Sequence, residues 1–155
     1  VAIAPTENGG QLYTRLKFQA ALAMNDLIVK VLDNKVTYTT QDEAQVSFAP
    51  TLKKEDGLLR FASKTCEEIL NLNRALDPWP GTYCFLNGKR LKVLFAENYH
   101  VKIAPGKAKN DMGSLIVGCL DGSLRLSEVQ LEGKKACSDR ELLNGIKTDI
   151  IISES

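Results

Sequence analysis

Few residues in this chain have the types and spacing needed for chemistry. The only histidine is His100, and a lone imidazole in a predicted strand is typical of a packed or surface residue rather than of a catalytic base. Cys66, Cys84, Cys119 and Cys137 are widely separated and form no Cys-x-x-C pair, so they do not match a zinc site. The chain also lacks a glycine-rich phosphate loop and a Gly-x-Ser-x-Gly nucleophile elbow. We therefore predict no catalytic residues and no metal site.

The composition is that of a globular protein from a reducing compartment. A chain of 155 residues with 44% hydrophobic and 25% charged residues can form a core without disulfides, so we expect buried, reduced thiols. It has no apolar run near the ~20 residues that cross a bilayer and no signal-peptide pattern. We expect a cytoplasmic location and no membrane partner. Because the first residue is not Met and residues 1–4 are apolar, we interpret the sequence as part of a longer protein.

Positive charge is concentrated in one part of the sequence. The net charge is only +1, but residues 88–109 hold six cations against one anion. A local excess of this kind attracts a phosphate backbone. Charge clusters are also typical of solvated surfaces, so composition alone leaves nucleic-acid binding open.

Helical spacing and capping signals predict three helices. Apolar residues recur every three to four positions over about 11–32, which predicts a helix there. A second helix is expected to begin after Ser63 and to end at Pro78. A third follows Ser138, where Glu141 completes a capping box. The polar stretch 35–52 has no clear period and is predicted to be an extended linker.

Strand signals dominate from residue 82 onward. The runs 82–86 and 89–96 flank Asn87-Gly88, a strong hairpin signal, and the runs 114–120 and 123–131 flank Asp121-Gly122. A last strand is expected at 150–152. The predicted fold is mainly β with helices: a small β-barrel like an oligonucleotide-binding fold, preceded by an α-helix and an extended linker.

The second of these runs should have one apolar and one partly cationic face. Alternation along a strand places Leu91, Val93 and Phe95 on the core side. Arg90 and Lys92 are then on the opposite side.

The most distinctive motif contains the only tryptophan. It reads Arg74-Ala75-Leu76-Asp77-Pro78-Trp79-Pro80-Gly81. Each proline fixes its own φ and disfavours a helical conformation at the residue before it, so the segment must end a helix and turn. Trp79 could stack on a base, but we expect it to anchor the core, because flanking prolines favour burying the ring over presenting it.

Together with the run Leu126-Ser127-Glu128-Val129-Gln130-Leu131-Glu132-Gly133-Lys134-Lys135, this motif resembles the carboxy-terminal part of bacterial methionyl-tRNA formyltransferases. That family carries R-A-x-x-P-W-P-G and a later L-Q-x-x-G-K-K at a similar separation. Further matches follow in order along nearly the whole chain: Gln41-Asp42-Glu43, Lys54-Glu55-Asp56, Gly88-Lys89, Pro105-Gly106 and Asp121-Gly122. The chain departs from the family at Thr51, a commonly basic position, and at Phe48, usually Tyr.

The resemblance implies a domain division and a function. Residues 1–34 would be the tail of a Rossmann-like formyltransferase domain, residues 35–52 a linker, and residues 53–155 the carboxy-terminal barrel. The parent enzyme would transfer a formyl group from its co-substrate, 10-formyltetrahydrofolate, to the amino group of initiator methionyl-tRNA for translation initiation. The chain itself would lack the catalytic site, bind no cofactor or metal, and be inactive alone, and the full-length enzyme would be a monomer.

The resemblance also implies that basic residues of the barrel face tRNA. The candidate tRNA-binding residues are Lys53, Lys54, Lys89, Arg90, Lys92, Lys134 and Lys135. Phosphate contacts of this kind would position the tRNA without reading its sequence. Two alternatives stay open: the second domain of a related folate-dependent hydrolase or sugar formyltransferase, and a free-standing oligonucleotide-binding module.

Overall fold

The computed structural model describes residues 1–154 and divides into two compact units between Leu52 and Lys53. In the first unit, helix α1 spans Gly9–Leu32, and Asn8 caps it through a reciprocal pair of hydrogen bonds with Gln11. The predicted helix is confirmed and begins two residues earlier than expected. No residue of α1 is buried. Within residues 1–154, no helix combines the length and the apolar character that would be needed to span a bilayer.

The second unit is a nearly closed antiparallel barrel. Its strands are β1 (Thr82–Leu86), β2 (Lys89–Tyr99), β3 (Ala108–Asp111), β4 (Ser114–Gly118), β5 (Ser123–Leu131), β6 (Cys137–Ser138) and β7 (Ile152–Ser153). Six strands follow the order β3-β4-β5-β2-β1-β7, and β6 pairs with β5 beside that path. The predicted fold class, a mainly β protein with a small barrel, is confirmed.

The first hairpin follows directly from its turn residues. Asn87 and Gly88 have φ angles of 50° and 76°, the left-handed conformation that a two-residue hairpin loop needs and that Asn and Gly tolerate. This loop pairs Leu86 with Lys89 and, further along, Tyr83 with Lys92. The predicted bounds of β1 and β5 are confirmed.

The prediction that Phe95 faces the core is wrong. The register between β2 and β5 shifts on both sides of Phe95, and each irregularity resets the alternation of side chains. Ala96 is therefore buried, whereas the Phe95 side chain is 53% exposed. The same strand runs on to Tyr99, three residues beyond the predicted end.

Two short strands were not predicted, and the last one lies later than expected. Strands β3 and β6 have four and two residues, too few to show a period of two. Strand β7 occupies Ile152–Ser153 rather than 150–152, and these two residues pair with Leu86 and Phe85 of β1. The N–H of Ile151, the residue before the strand, donates to the side chain of Asn87.

Helices α2 (Cys66–Ala75) and α3 (Asp139–Asn144) pack against the barrel. Thr65 caps α2, not Ser63, which lies in the preceding turn, where its N–H donates to the carbonyl of Arg60. The predicted capping box of Ser138 is confirmed.

One core fills the barrel and extends beneath α2 and α3. Its fully or nearly buried members include Leu59, Phe61, Ile69, Leu91, Val93, Leu115, Val117, Leu124, Leu126 and Val129. The four cysteines are free thiols: Cys66, Cys84 and Cys119 are buried and Cys137 is half-buried. Burial raises the pKa of the Cys84 thiol to about 12, which keeps it protonated and unreactive at neutral pH.

The expectation that Trp79 anchors the core is wrong. The loop between α2 and β1 is closed by a 2.9 Å hydrogen bond from the N–H of Gly81 to the carbonyl of Leu76. Trp79 lies in the middle of this surface loop, and 58% of it is exposed. Because the closed loop reverses the chain direction outside the core, the indole ring lies at the surface.

Candidate nucleic-acid interface

A row of four residues crosses the outer surface of the barrel. Leu58 bridges Tyr83, Tyr83 pairs with Lys92, and Lys92 pairs with Gln130. All four side chains are half-buried, whereas their neighbours Cys84, Leu91, Val93 and Val129 are buried. Cross-strand partners point to the same face. With strands about 4.8 Å apart, the row extends for roughly 14 Å.

Lys92 occupies the middle of this row and reaches toward the loop between α2 and β1. A Cβ built on Gly81 would stand 2.7 Å from Cε and 3.3 Å from Nζ of Lys92. The end of the lysine side chain therefore lies over the backbone of Gly81. Gly81, the residue that this ammonium group approaches, is two residues from Trp79 along the chain.

Arg90 is fixed on the same face by an aromatic contact. Its guanidinium carbon lies 3.8 Å from the centroid of the Tyr83 ring, and Phe85 meets the edge of that ring. A cation over an aromatic face is attracted by the ring quadrupole. Arg90 also accepts the N–H of Glu132 at its carbonyl, at 2.9 Å, which ties it to the end of β5. Lys89, in the adjacent pair with Leu86, is exposed.

Lys53 and Lys54 approach the row from one side. Lys54 begins a short 3-10 helix, Lys54–Gly57, and the N–H of Lys53 is held by the Asp56 carboxylate at 2.6 Å. A Cβ on Gly57 would lie 2.1 Å from the carbonyl oxygen of Gly81, so the two backbones are in direct contact. The 3-10 turn is thus packed against the residue that Lys92 covers.

Lys134 and Lys135 approach the row from the other side. Both are exposed in the loop between β5 and β6. The side chain of Gln130 donates a 2.9 Å hydrogen bond to the carbonyl of Lys134. Gln130 is the cross-strand partner of Lys92 and the last residue of the row, so the loop between β5 and β6 begins beside that end of the row. The structure thus places Arg90 and Lys92 on one outer face of the barrel, and it places Lys53, Lys54, Lys134 and Lys135 in segments that adjoin the row. Lys89 pairs with the buried Leu86 and, by the alternation of β2, belongs to the opposite side of the strand from Lys92.

The charged groups of these seven side chains lack a carboxylate partner among residues 1–154. None of them forms an ion pair within the part of the chain that the structure describes, whereas Arg60, Lys64 and Arg125 pair with Glu154, Glu68 and Asp139 at 3.0, 2.7 and 2.8 Å. An unpaired ammonium or guanidinium group can take a phosphate without first breaking an internal contact. This is a requirement for a phosphate-binding surface.

A cleft of about 590 Å³ lies near this face, between α2 and residues 55–60. Three carboxylates, of Glu55, Asp56 and Glu68, line it. Its two cations, Arg60 and Lys64, are already paired with Glu154 and Glu68. The cleft is therefore poorly suited to an anionic ligand.

His100 and the possible metal ligands lie among the described residues. His100 is exposed and its ring lies 4.5 Å from the ring of Tyr99, between centroids. Residues 1–154 contain no cluster of three or more His, Cys, Asp and Glu side chains placed to hold a metal ion.

The sequence predicted the candidate cations but not the residues that contact them or position their segments. The role of Tyr83, whose ring contacts Arg90, is predictable from the sequence. A two-residue loop at Asn87-Gly88 fixes the pairing of Tyr83 with Lys92. Nothing in the sequence signals that Gln130 holds the Lys134 carbonyl or that Gly57 touches Gly81. Those contacts depend on how distant segments pack.

Comparisons with known proteins give a consistent family. The model of the formyl transferase C-terminal domain matches residues 51–147. A methionyl-tRNA formyltransferase of Geobacter metallireducens is 37% identical over 96% of this chain and 48% of its own length. That of Geotalea daltonii is 38% identical over 94% of this chain and 47% of its own length. The chain thus spans about half the length of these curated relatives.

Solved structures support the same fold. A variant of HypX from Aquifex aeolicus matches 96% of this chain and 28% of its own length, with a TM-score of 0.68 and 15% identity. HypX in complex with tetrahydrofolic acid matches 81% of the chain, with a TM-score of 0.55 and 17% identity. At these identities the likeness concerns the fold alone.

Proposed function

The chain belongs to the family of formyl transferase C-terminal domains, and from this we propose that it is the tRNA-binding portion of a methionyl-tRNA formyltransferase. In this proposal the whole enzyme transfers a formyl group from 10-formyltetrahydrofolate to the amino group of initiator methionyl-tRNA. Residues 1–34 are the end of its catalytic domain, residues 35–52 a linker, and residues 53–155 the barrel that holds the tRNA.

The observation that carries the proposal is the set of cations at and beside the row around Lys92, none of which forms an ion pair within residues 1–154. Arg90 and Lys92 lie on the face of this row, and Lys53, Lys54, Lys89, Lys134 and Lys135 lie in the turns and segments beside it, although the net charge of the chain is only +1. Phosphate contacts supply affinity and orientation without reading bases. The barrel would therefore hold the tRNA, and the chemistry would take place elsewhere in the enzyme.

The cleft beside α2 is poorly suited to the folate co-substrate. The 590 Å³ cleft beside α2 is lined by three carboxylates, which would repel the anionic glutamate tail of a folate. We therefore assign 10-formyltetrahydrofolate no site on residues 1–154.

A salt series of tRNA binding tests the proposal. Fluorescence anisotropy with labelled initiator tRNA, acylated and bare, would be measured between about 50 and 200 mM salt. If all seven cations contact phosphates, log K falls with log salt at a slope of about −6, which is a loss of roughly 10³- to 10⁴-fold over this range. No binding at the lowest salt would overturn the proposal and favour the relatives that act on folates or sugars.

Lys92→Gln and Lys102→Gln form a matched pair for the same experiment. Both remove one positive charge, but Lys102 follows the far end of β2, and neither lysine forms an ion pair in the described residues. Lys92→Gln should reduce the magnitude of the salt slope by about 1, and Lys102→Gln should leave it unchanged. Equal effects of both changes would mean that net charge, not this face, governs binding.

A further inference from the structure

We propose that Trp79 is a stacking position for an unpaired nucleotide of the bound RNA, with Lys92 as the contact for a phosphate next to that nucleotide. This inference rests on the proposed function and adds to it a second kind of contact. The seven cations can bind the phosphates of paired or unpaired RNA, whereas an indole ring can stack only on a base that is not stacked between its neighbours.

The position of Trp79 is what a stacking site requires. The ring is 58% exposed, in the middle of a loop that the Gly81–Leu76 hydrogen bond closes. Pro78 and Pro80 fix their own φ angles on either side, so the loop has few conformations to lose when a base binds. Stacking on a pre-ordered aromatic side chain contributes to binding without a large ordering cost.

A cation lies within the same small region. Lys92 covers the backbone of Gly81, with its Nζ 3.3 Å from the position of a Cβ there. Gly81 is two residues from Trp79. Binding sites for single-stranded nucleic acid combine an aromatic platform for the base with a cationic groove for the backbone. Trp79 provides the aromatic ring in this loop, and Lys92 provides a cation at the end of the same loop, over Gly81.

The other aromatic rings of this face are not available for stacking. Arg90 already covers the Tyr83 ring, with its guanidinium carbon 3.8 Å from the centroid. Phe85 is half-buried against the edge of Tyr83. Trp79 is thus the aromatic side chain of this face that offers a free surface among the residues the structure describes.

Phe95 supplies an internal comparison. It is 53% exposed, close to the value for Trp79, but its surroundings include acidic residues. Glu128 is its cross-strand partner, and Glu97, which pairs with Arg125 at 3.4 Å, follows two residues later. Carboxylates at that place repel a phosphate backbone. Exposure alone therefore does not distinguish the two rings, whereas the charge of their surroundings does.

Intrinsic fluorescence tests the proposal directly, because Trp79 is the only tryptophan. Its emission would be recorded while the full chain is titrated with initiator tRNA and, separately, with a blunt RNA duplex of equal charge. Anisotropy of the labelled RNA would be measured in parallel. We expect tRNA to quench the emission with the same midpoint as the anisotropy change, and the duplex to bind without quenching.

Substitutions give a second, independent measurement. Trp79→Leu should weaken tRNA binding by roughly 5- to 150-fold, the range that loss of one stacked base produces. Trp79→Tyr should recover most of this loss, and Phe95→Leu should change binding by less than about twofold. Circular dichroism melts of each variant would establish that the barrel is folded.

The outcomes separate the two proposals. If tRNA binds but the emission does not change and Trp79→Leu binds normally, stacking is wrong and the tRNA-binding role stands. Equal quenching by the duplex would also overturn stacking, as would a change of emission on diluting the free protein, which would assign Trp79 to a contact between copies of the chain. If tRNA does not bind at all, both proposals fail.

Discussion

At the level of single residues, the carboxylate of Asp139 connects β4, β5 and α3. It is fully buried and accepts hydrogen bonds from Arg125 Nε at 2.8 Å, Arg125 Nη2 at 3.0 Å and the N–H of Leu115 at 3.2 Å. Burial by itself raises the pKa of Asp139, but the hydrogen bonds from Arg125 and the backbone outweigh it, and the net pKa is lowered. The group is therefore charged at neutral pH and stabilises the fold.

Asp139→Asn should lower the free energy of unfolding by about 1.5–3 kcal/mol, because hydrogen bonds to a charged group are lost. A lowered pKa in the folded state means that the stabilisation is present above the unfolded pKa near 3.9 and is lost as the pH falls through the folded value. Urea unfolding at pH 7 and below pH 4 checks both points, since the variant should show the weaker acid dependence.

Glu154→Gln is the control for this change. It removes a carboxylate from an exposed pair with Arg60, in which the two side chains are 57% and 37% exposed. Exposed pairs of this kind contribute little, so the free energy of unfolding should change by less than about 1 kcal/mol. A similar loss in both variants would contradict the special role of the buried carboxylate.

Some single-residue features could be predicted from the sequence, and others, such as the exposure of Trp79 and Phe95, could not. The seven cations and the hairpin at Asn87-Gly88 could be read from residue types, because charge and turn conformation are local properties. The exposure of Trp79 could not, since it depends on a hydrogen bond between Gly81 and Leu76. The bulge that exposes Phe95 depends on the pairing of β2 with β5, which the sequence of β2 alone does not contain.

At the level of elements, helix α2 is capped by Thr65 and not by Ser63, the cap expected from the sequence. Thr65 accepts a hydrogen bond from the N–H of Glu68, and Glu68 accepts the N–H of Thr65 at 2.9 Å. The hydrogen bonds from Lys64 and Thr65 hold the pKa of Glu68 at about 2. Ser63 has the right residue type for a cap but lies in the preceding turn.

Thr65→Ala should therefore destabilise the protein by about 1 kcal/mol, the usual cost of removing an N-cap oxygen. Ser63→Ala should have an effect of less than about 0.5 kcal/mol, as expected for a surface change away from such features. Thermal and urea unfolding of the two variants make the comparison. The reverse order would mean that α2 begins two residues earlier.

The elements were predicted to different degrees for physical reasons. Long or clearly bounded ones, such as α1, β1 and β5, follow from period and turn residues. Strands β3 and β6 exist only because β4 and β5 offer them partners, and their few residues carry no pattern of their own. The same holds for β7, which Asn87 fixes through the N–H of Ile151.

At the level of the whole molecule, the two units differ in what they bury. Every member of the core lies beyond Leu52, from Leu59 to Leu143 in its fully buried part, whereas α1 buries no residue within the first unit. Stability should therefore reside in the second unit. Large apolar residues of α1 stay exposed, among them Phe18 at 69% and Leu22 at 63%, and exposed apolar surface of this extent favours association.

A chain of residues 53–155 should consequently unfold with the same urea midpoint as the full chain, because it retains the entire core. In sedimentation velocity, the full chain should self-associate with rising concentration, and the shorter chain should remain a monomer. A lower midpoint for the shorter chain would show that residues 1–52 contribute to the stability of the barrel.

The contact between Gly57 and Gly81 has a consequence for which sequences this fold can accept. Any side chain at Gly57 would collide with the Gly81 carbonyl, and at Gly81 a side chain would meet both Lys92 and an unfavourable φ of 76°. Gly88 and Gly133 have similar φ angles but open space around them, so asparagine is an acceptable substitute there. Substitutions can thus accumulate at Gly88 and Gly133 in the two exposed turns. Gly57 and Gly81, which join the Lys54–Gly57 turn to the tryptophan loop, can be replaced only if both segments move.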